Sequence, residues 1–98
     1  MAAALFIFAR FHAAEGREAG VAAAIRDTVA ASRNEPGCVA IGGYRSTRDP
    51  RLFYIHSHWV DEAAFELHAT LPHTVRFLER VRPLIDHDLD VTRTEPIE

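Results

Sequence analysis

The stretch IGGYRSTRDPRLFYIHSHW (Ile41–Trp59) holds two runs rich in β-branched and aromatic residues around a polar segment of Ser, Thr, Asp and Pro. It predicts an antiparallel hairpin: a strand over about Val39–Arg45, a turn in STRDPR, and a strand in LFYIHSHW (Leu52–Trp59). Gly42 and Gly43 hint at a bulge or a close backbone approach in the first of these strands. The hairpin decides the fold because helix-like sequence lies on both sides of it.

Upstream, ALFIFARFH (Ala4–His12) is short and rich in aromatic and branched residues, so it reads as a strand. Leu5, Ile7, Ala9 and Phe11 line one face and Phe6 and Phe8 the other, and apolar residues on both faces call for cover on both. From Glu15 to Arg33 the chain is alanine-rich. Val21, Ala24, Ile25, Thr28, Val29 and Ser32 recur at the spacing of one helical face. NEPGC then stops the helix, since the residue before Pro36 is pushed out of the α region and Gly37 permits a tight turn.

Downstream of the hairpin, Asp61 caps a short helix running through Leu67 and His68. Thr70 caps another, with Pro72 in its first turn, extending to about Arg82 ahead of Pro83. HDLDVTRT, with alternating polarity, closes the chain as a strand with one wet face. The order is βαββαβ, an α+β ferredoxin-like arrangement with a four-stranded antiparallel sheet and both helices on one face. The other face would expose Phe6 and Phe8. Apolar sheet surface of that kind marks an interface, so a two-fold homodimer with its sheets face to face is expected.

Composition narrows the function classes. The chain has 98 residues, enough for one small domain over residues 1–98, with 48% hydrophobic and 26% charged residues. Its net charge is −3 and its eleven basic residues, all arginine, form no stripe, so nucleic acid is not an expected partner. No apolar run reaches the roughly 20 residues that a bilayer demands, so no membrane partner is expected either. MAAALFIFARF lacks the basic start and cleavage-like end of a leader, and a cytoplasmic location is expected. Cys38 is the only cysteine, so no disulfide forms within the chain and no thiolate cluster can hold a metal. Following EPG at a strand start, it reads as a small buried hydrophobe.

The chemistry-bearing residues lie just after the hairpin. Trp59 shares a strand face with Phe53, Ile55 and Ser57 by alternation. His68 follows Ala64 and Phe65 by four and three residues and so lies on the inward side of its helix. His73 precedes Phe77 by four and Val81 by eight, so it borders an apolar stripe. Trp59, His68 and His73 are therefore expected to converge on a pocket between sheet and helices. His56 and His58 share one strand face at a spacing that can bind a metal, but no third ligand is evident and no metal is expected.

These residues carry a resemblance. SRNEPGC, RSTRDPRLFYI and the pattern W-x-D-E-A-A-F-x-x-H-x-x-x-P-H-x-x-x-F (Trp59–Phe77) resemble the antibiotic biosynthesis monooxygenase domain of the dimeric α+β barrel superfamily, over nearly the whole chain. The resemblance implies a ferredoxin-like homodimer. It also implies an oxygenase acting on quinols or phenolic polyketides with dioxygen, without metal, flavin or haem; the absence of a glycine-rich phosphate loop agrees with this. The superfamily also contains haem-degrading oxygenases and an isomerase of a phosphorylated sugar derivative. Ser57 stands where related sequences often carry glutamate, which removes a carboxylate at that place. The first strand lacks the asparagine that the haem-degrading members use, which argues against haem breakdown.

Within that frame His68, His73 and Trp59 are the candidate catalytic residues, and Phe65, Phe77, Tyr54 and Ser57 the candidate substrate contacts. An imidazole titrates near neutral pH and can accept a phenolic proton, and the electron-rich anion so formed can itself reduce dioxygen. Each residue also has a structural alternative: Trp59 as core, His68 as a cation at a helix C-terminus, His73 at its own helix start, and Tyr54 as sheet packing. Two other functions remain open, an isomerase of a small carbonyl compound, for which a phosphorylated substrate calls for convergent arginines, and a non-enzymatic binding dimer.

Overall fold

The computed structural model describes residues 3–98; Met1 and Ala2, the first residues of the segment read for a leader, lie outside the described residues. The elements run β1 (Leu5–His12), α1 (Glu18–Ser32), β2 (Cys38–Arg45), β3 (Leu52–Trp59), α2 (Glu62–Thr70), α3 (Pro72–Val81), a 3₁₀ turn (Arg82–Leu84) and β4 (Asp90–Thr94). The strands form one antiparallel sheet in the order β2-β3-β1-β4, which is the expected ferredoxin-like topology. No described helix is long and apolar enough to cross a membrane.

Alternation sorts the sheet into two faces. Ile7, Ala9 and Phe11 of β1, Ile41 of β2 and Phe53, Ile55, Ser57 and Trp59 of β3 are buried on the helix side. The buried positions of α1 are Val21, Ala24, Ile25, Thr28, Val29 and Ser32, as its periodicity predicts, and α3 adds Thr74, Phe77 and Val81. Each large side chain so buried contributes about 1.5–3 kcal/mol of transfer free energy. Gly43 allows the α1–β2 approach, because a Cβ there would lie 2.5 Å from Ile25 Cγ2. The opposite face carries Phe6, Phe8, Tyr44, Tyr54, His56 and His58, with Phe8 50% and Tyr44 58% exposed.

Several boundaries differ from expectation for local reasons. α1 begins at Glu18 rather than Glu15, because a turn closes first, with Arg17 N–H donating to Ala14 O and Gly16 N–H to the Glu18 carboxylate. The irregularity in β2 falls between Cys38 and Ala40, not at Gly42 and Gly43. Thr70 does not cap α3; its hydroxyl donates back to Leu67 O, and Leu71 is the N-cap. Pro72 explains this by forcing Leu71 into extended backbone, at φ −70° and ψ 148°.

β4 begins three residues later than expected because Asp86 is tied down ahead of it. Its carboxylate accepts from His12 Nδ1 at 2.6 Å, His87 Nδ1 at 2.7 Å and Arg51 at 2.6 Å. The hydrogen bond from His12 first, and that from His87 second, hold the Asp86 carboxyl well below the usual range, lowered to about 2.

Candidate active site

A cavity of about 250 Å³ lies between the sheet and the helices. Ile7, Ala9, Phe11, Phe65, Phe77 and Val91 supply apolar wall, and Thr28, Ser32, Ser57 and Thr74 are its neutral polar members. His68 is the one titratable side chain lining it, and no arginine reaches its wall among the described residues. Val91, on the edge strand, is 44% exposed, which leaves that side of the wall thin.

α2 holds His68 at the wall. Asp61 caps the helix by accepting from Ala64 N–H at 2.8 Å, and Phe65 buries its inward side against Trp59, with ring centroids 5.8 Å apart. His68 lies one turn on, against the indole of Trp59 at 4.6 Å. Its Nδ1 donates to Glu35 Oε2 at 2.8 Å, and His73 Nε2 donates to the same oxygen at 2.9 Å. Side-chain exposure is 10% at Glu35, 13% at His68 and 21% at His73, so Glu35 bridges the cavity-lining His68 to the more exposed His73. Ser32 Oγ stands 3.4 Å from His73 Nε2 and Thr74 Oγ1 3.4 Å from His68 Nδ1.

With Nδ1–H engaged by a carboxylate, the neutral His68 ring carries its lone pair on Nε2, which has no protein partner among the described residues. That tautomer is the one a general base needs, in an orientation fixed by its acid partner. Gly37 makes the contact possible. A Cβ on it would lie 2.4 Å from Ala64 Cβ, so only glycine lets the loop carrying Glu35 sit this close to α2.

The cavity wall thus gathers His68, Phe65, Phe77 and Ser57 of the predicted site residues, and three others stand elsewhere. Trp59 is fully buried behind His68, and its indole N–H donates to Ser57 Oγ at 2.9 Å, so that donor is already used. His73 borders a shallow cleft on the outer side with Asp27, Arg76 and Arg80. Tyr54 pairs with Arg10 and Tyr44 on the opposite sheet face, since strand alternation turns it away from Ser57.

Glu35 is the residue that sequence reading missed. In sequence it is only part of the helix-stopping NEPGC turn, and nothing in that turn signals two imidazoles. It comes from the α1–β2 loop and sets one carboxylate oxygen against both imidazoles. Of the remaining candidates, Cys38 has its thiol pushed up, chiefly by burial and then by the Glu35 charge, which keeps it protonated and poorly nucleophilic. His58 stacks on the Phe6 ring at 4.1 Å and His56 packs at a tilt against Phe8 at 4.7 Å, and no third ligating group joins them among the described residues.

A family model described as antibiotic biosynthesis monooxygenase matches residues 4–80. Among solved structures similar to this chain is PA3566 from Pseudomonas aeruginosa, 28% identical, with a TM-score of 0.91 over 100% of this chain and 98% of that one. Another is Rv0793 from Mycobacterium tuberculosis, 20% identical, with a TM-score of 0.92 over 98% and 97% of the two chains. A third, described as an antibiotic biosynthesis monooxygenase, is 23% identical with a TM-score of 0.90 over 96% and 99%.

Proposed function

The chain belongs to the antibiotic biosynthesis monooxygenase family, and we propose that it oxidises a small aromatic quinol or polyketide-like phenol with dioxygen, without flavin, haem or metal. The observation that carries this reading is one imidazole, oriented by Glu35, in the wall of an otherwise uncharged cavity. At about 250 Å³ the space is smaller than the roughly 300–1,000 Å³ typical of drug-sized ligands, which favours a substrate of few rings.

In this mechanism Phe65 and Phe77 pack the ring, and Ser57 and Thr74 offer hydroxyls to its polar edge. His68 Nε2 takes the phenolic proton, and Glu35 stabilises the imidazolium that results. The anion reduces dioxygen. For an anthrone-type CH₂ group, one oxygen atom becomes the carbonyl and the other leaves as water with both hydrogens, so the substrate supplies all the reducing electrons. The protein contributes orientation, the base and a dry cavity.

The homodimer belongs to the same reading. Phe6, Phe8, Tyr44 and Tyr54 leave an aromatic sheet face that a second copy would cover. The isomerase alternative, in its phosphorylated form, has less support, since a phosphate calls for guanidinium groups and the cavity wall has none among the described residues.

Oxygen uptake with a panel of hydroquinones and anthrones, together with product mass, tests the proposal. Stoichiometric uptake with one atom incorporated is expected. Saturable binding of these compounds without turnover would leave a binding module instead.

A further inference from the structure

We propose that Glu35 Oε2, His68 Nδ1 and His73 Nε2 form a binding site for one divalent transition cation of the Zn²⁺ or Co²⁺ class. The three donor atoms lie within 4.8 Å of one another, and both nitrogens stand 2.8–2.9 Å from the carboxylate oxygen. Ligand atoms around a metal at about 2.0–2.2 Å stand about 3–3.5 Å apart, so the two nitrogen–oxygen edges open by a few tenths of an ångström while the nitrogen–nitrogen edge, within 4.8 Å, draws in toward the same span. Two imidazoles and one carboxylate suit zinc, cobalt or iron, whereas magnesium and calcium favour oxygen ligands throughout.

The surroundings fit as well. The donors come from three packed segments: the loop braced on α2 by Gly37, the last turn of α2 and the first turn of α3. One carboxylate charge with two neutral rings leaves a net −1 to attract a dication. The Ser32 and Thr74 hydroxyls, each 3.4 Å from a ligating nitrogen, can hydrogen-bond ligand atoms or a metal-bound water. His73 gives access from the outer cleft.

The other cluster of this kind, His12, Asp86 and His87, is a poorer host. The Arg51 guanidinium 2.6 Å from Asp86 Oδ2 already puts a fixed positive charge on the carboxylate that would hold the ion.

Occupation has a chemical consequence. The ion takes the lone pairs of His68 Nδ1 and His73 Nε2, so each ring moves its single proton to the other nitrogen and none is released. Nε2 of His68 then changes from acceptor to donor, and the base proposed above is silenced. That consequence rests on the proposed oxidation; the site itself does not.

The test needs no substrate. Chelator-treated protein is titrated with Co²⁺, followed by its ligand-field absorption, and with Zn²⁺ by calorimetry. One equivalent per chain is expected to bind, with Mg²⁺ failing to compete. Glu35→Gln and His73→Asn should each weaken binding at least about tenfold, the least that losing even an outer-shell partner costs. His56→Asn and the pair His12→Asn/His87→Asn should leave it unchanged. Circular dichroism identifies any variant that fails to fold, and His73, more exposed than His68, is the safer position. Absence of binding at millimolar Co²⁺, or binding abolished by the control substitutions instead, overturns the proposal. Metal binding without any quinol oxidation would sink only the proposed function.

Discussion

Glu35 and His68, 33 residues apart in sequence, meet at 2.8 Å, with the carboxylate engaging Nδ1 of the ring and leaving Nε2 without a protein partner among the described residues. Glu35→Gln keeps the shape but allows the amide to present its N–H₂ to Nδ1, which favours the opposite tautomer. Turnover on a quinol that the wild type oxidises is expected to fall by about 10² or more, within the roughly 10² to 10⁴ a positioned base supplies. Steady-state kinetics separate this from a binding loss, since KM should change little.

Gly37→Ala is expected to destabilise the fold and loosen that contact together. The new methyl meets Ala64 Cβ at 2.4 Å, so loop or helix must shift. Overpacking of this kind costs about 1–3 kcal/mol, and each kcal/mol lowers Tm by about 4–8 °C in a domain this small. A melting curve within a degree of wild type would show the loop to be pliant and Glu35 only loosely held.

The aromatic sheet face should close against a second copy. Sedimentation is expected to give a species of twice the 11.0 kDa chain mass at micromolar concentration, and Phe8→Arg, at the centre of that face, should return it to one chain. A specific interface buries more than roughly 1,000 Å². A monomeric wild type would mean that these aromatics serve some other partner.

Asp86 ties β1 to the segment entering β4 and should leave an acid signature. Its carboxyl is lowered to about 2 by His12 and His87, below the unfolded value of about 3.9. The stability it contributes is therefore present above about pH 4 and lost as pH falls toward 2. Asp86→Asn should flatten that part of the Tm-against-pH profile while lowering Tm at neutral pH. An unchanged acid limb would show that solvent screens the cluster fully.

Much of this architecture was legible because it follows from local periodicity. The six buried positions of α1 sit at helical spacing, and strand alternation put Trp59 beside Ser57 on the helix side. The same alternation turns Tyr54 outward, which agrees with the sheet-packing alternative that the sequence offers for it. Glu35 was different in kind. An acid between Asn34 and Pro36 looks like any polar turn residue, and its role exists only once α2 and α3 pack against the loop. The spent indole donor of Trp59 was likewise hidden, since two side chains on one strand face need not touch.

The last expectation separates the two histidines. His68 lines the cavity, whereas His73 does not and is joined to its lining through the shared Glu35 oxygen and through Ser32 Oγ at 3.4 Å. If His68 is the proposed base, His68→Ala should cost about 10² to 10⁴ in turnover with the fold intact. His73→Ala leaves Glu35 free to hold His68 Nδ1, so its loss should stay near about tenfold, the low end of what an indirect partner contributes. Trp59→Phe keeps the packing face against His68 but frees Ser57 Oγ, so it should act on KM more than on turnover. If the histidines are scaffold, both alanine variants will melt a few degrees lower, as about 1 kcal/mol implies here, with activity per folded molecule unchanged. Equal losses of about 10³ from both variants would mean instead that His73 moves protons itself, and the hierarchy drawn from the cavity wall would have to be abandoned.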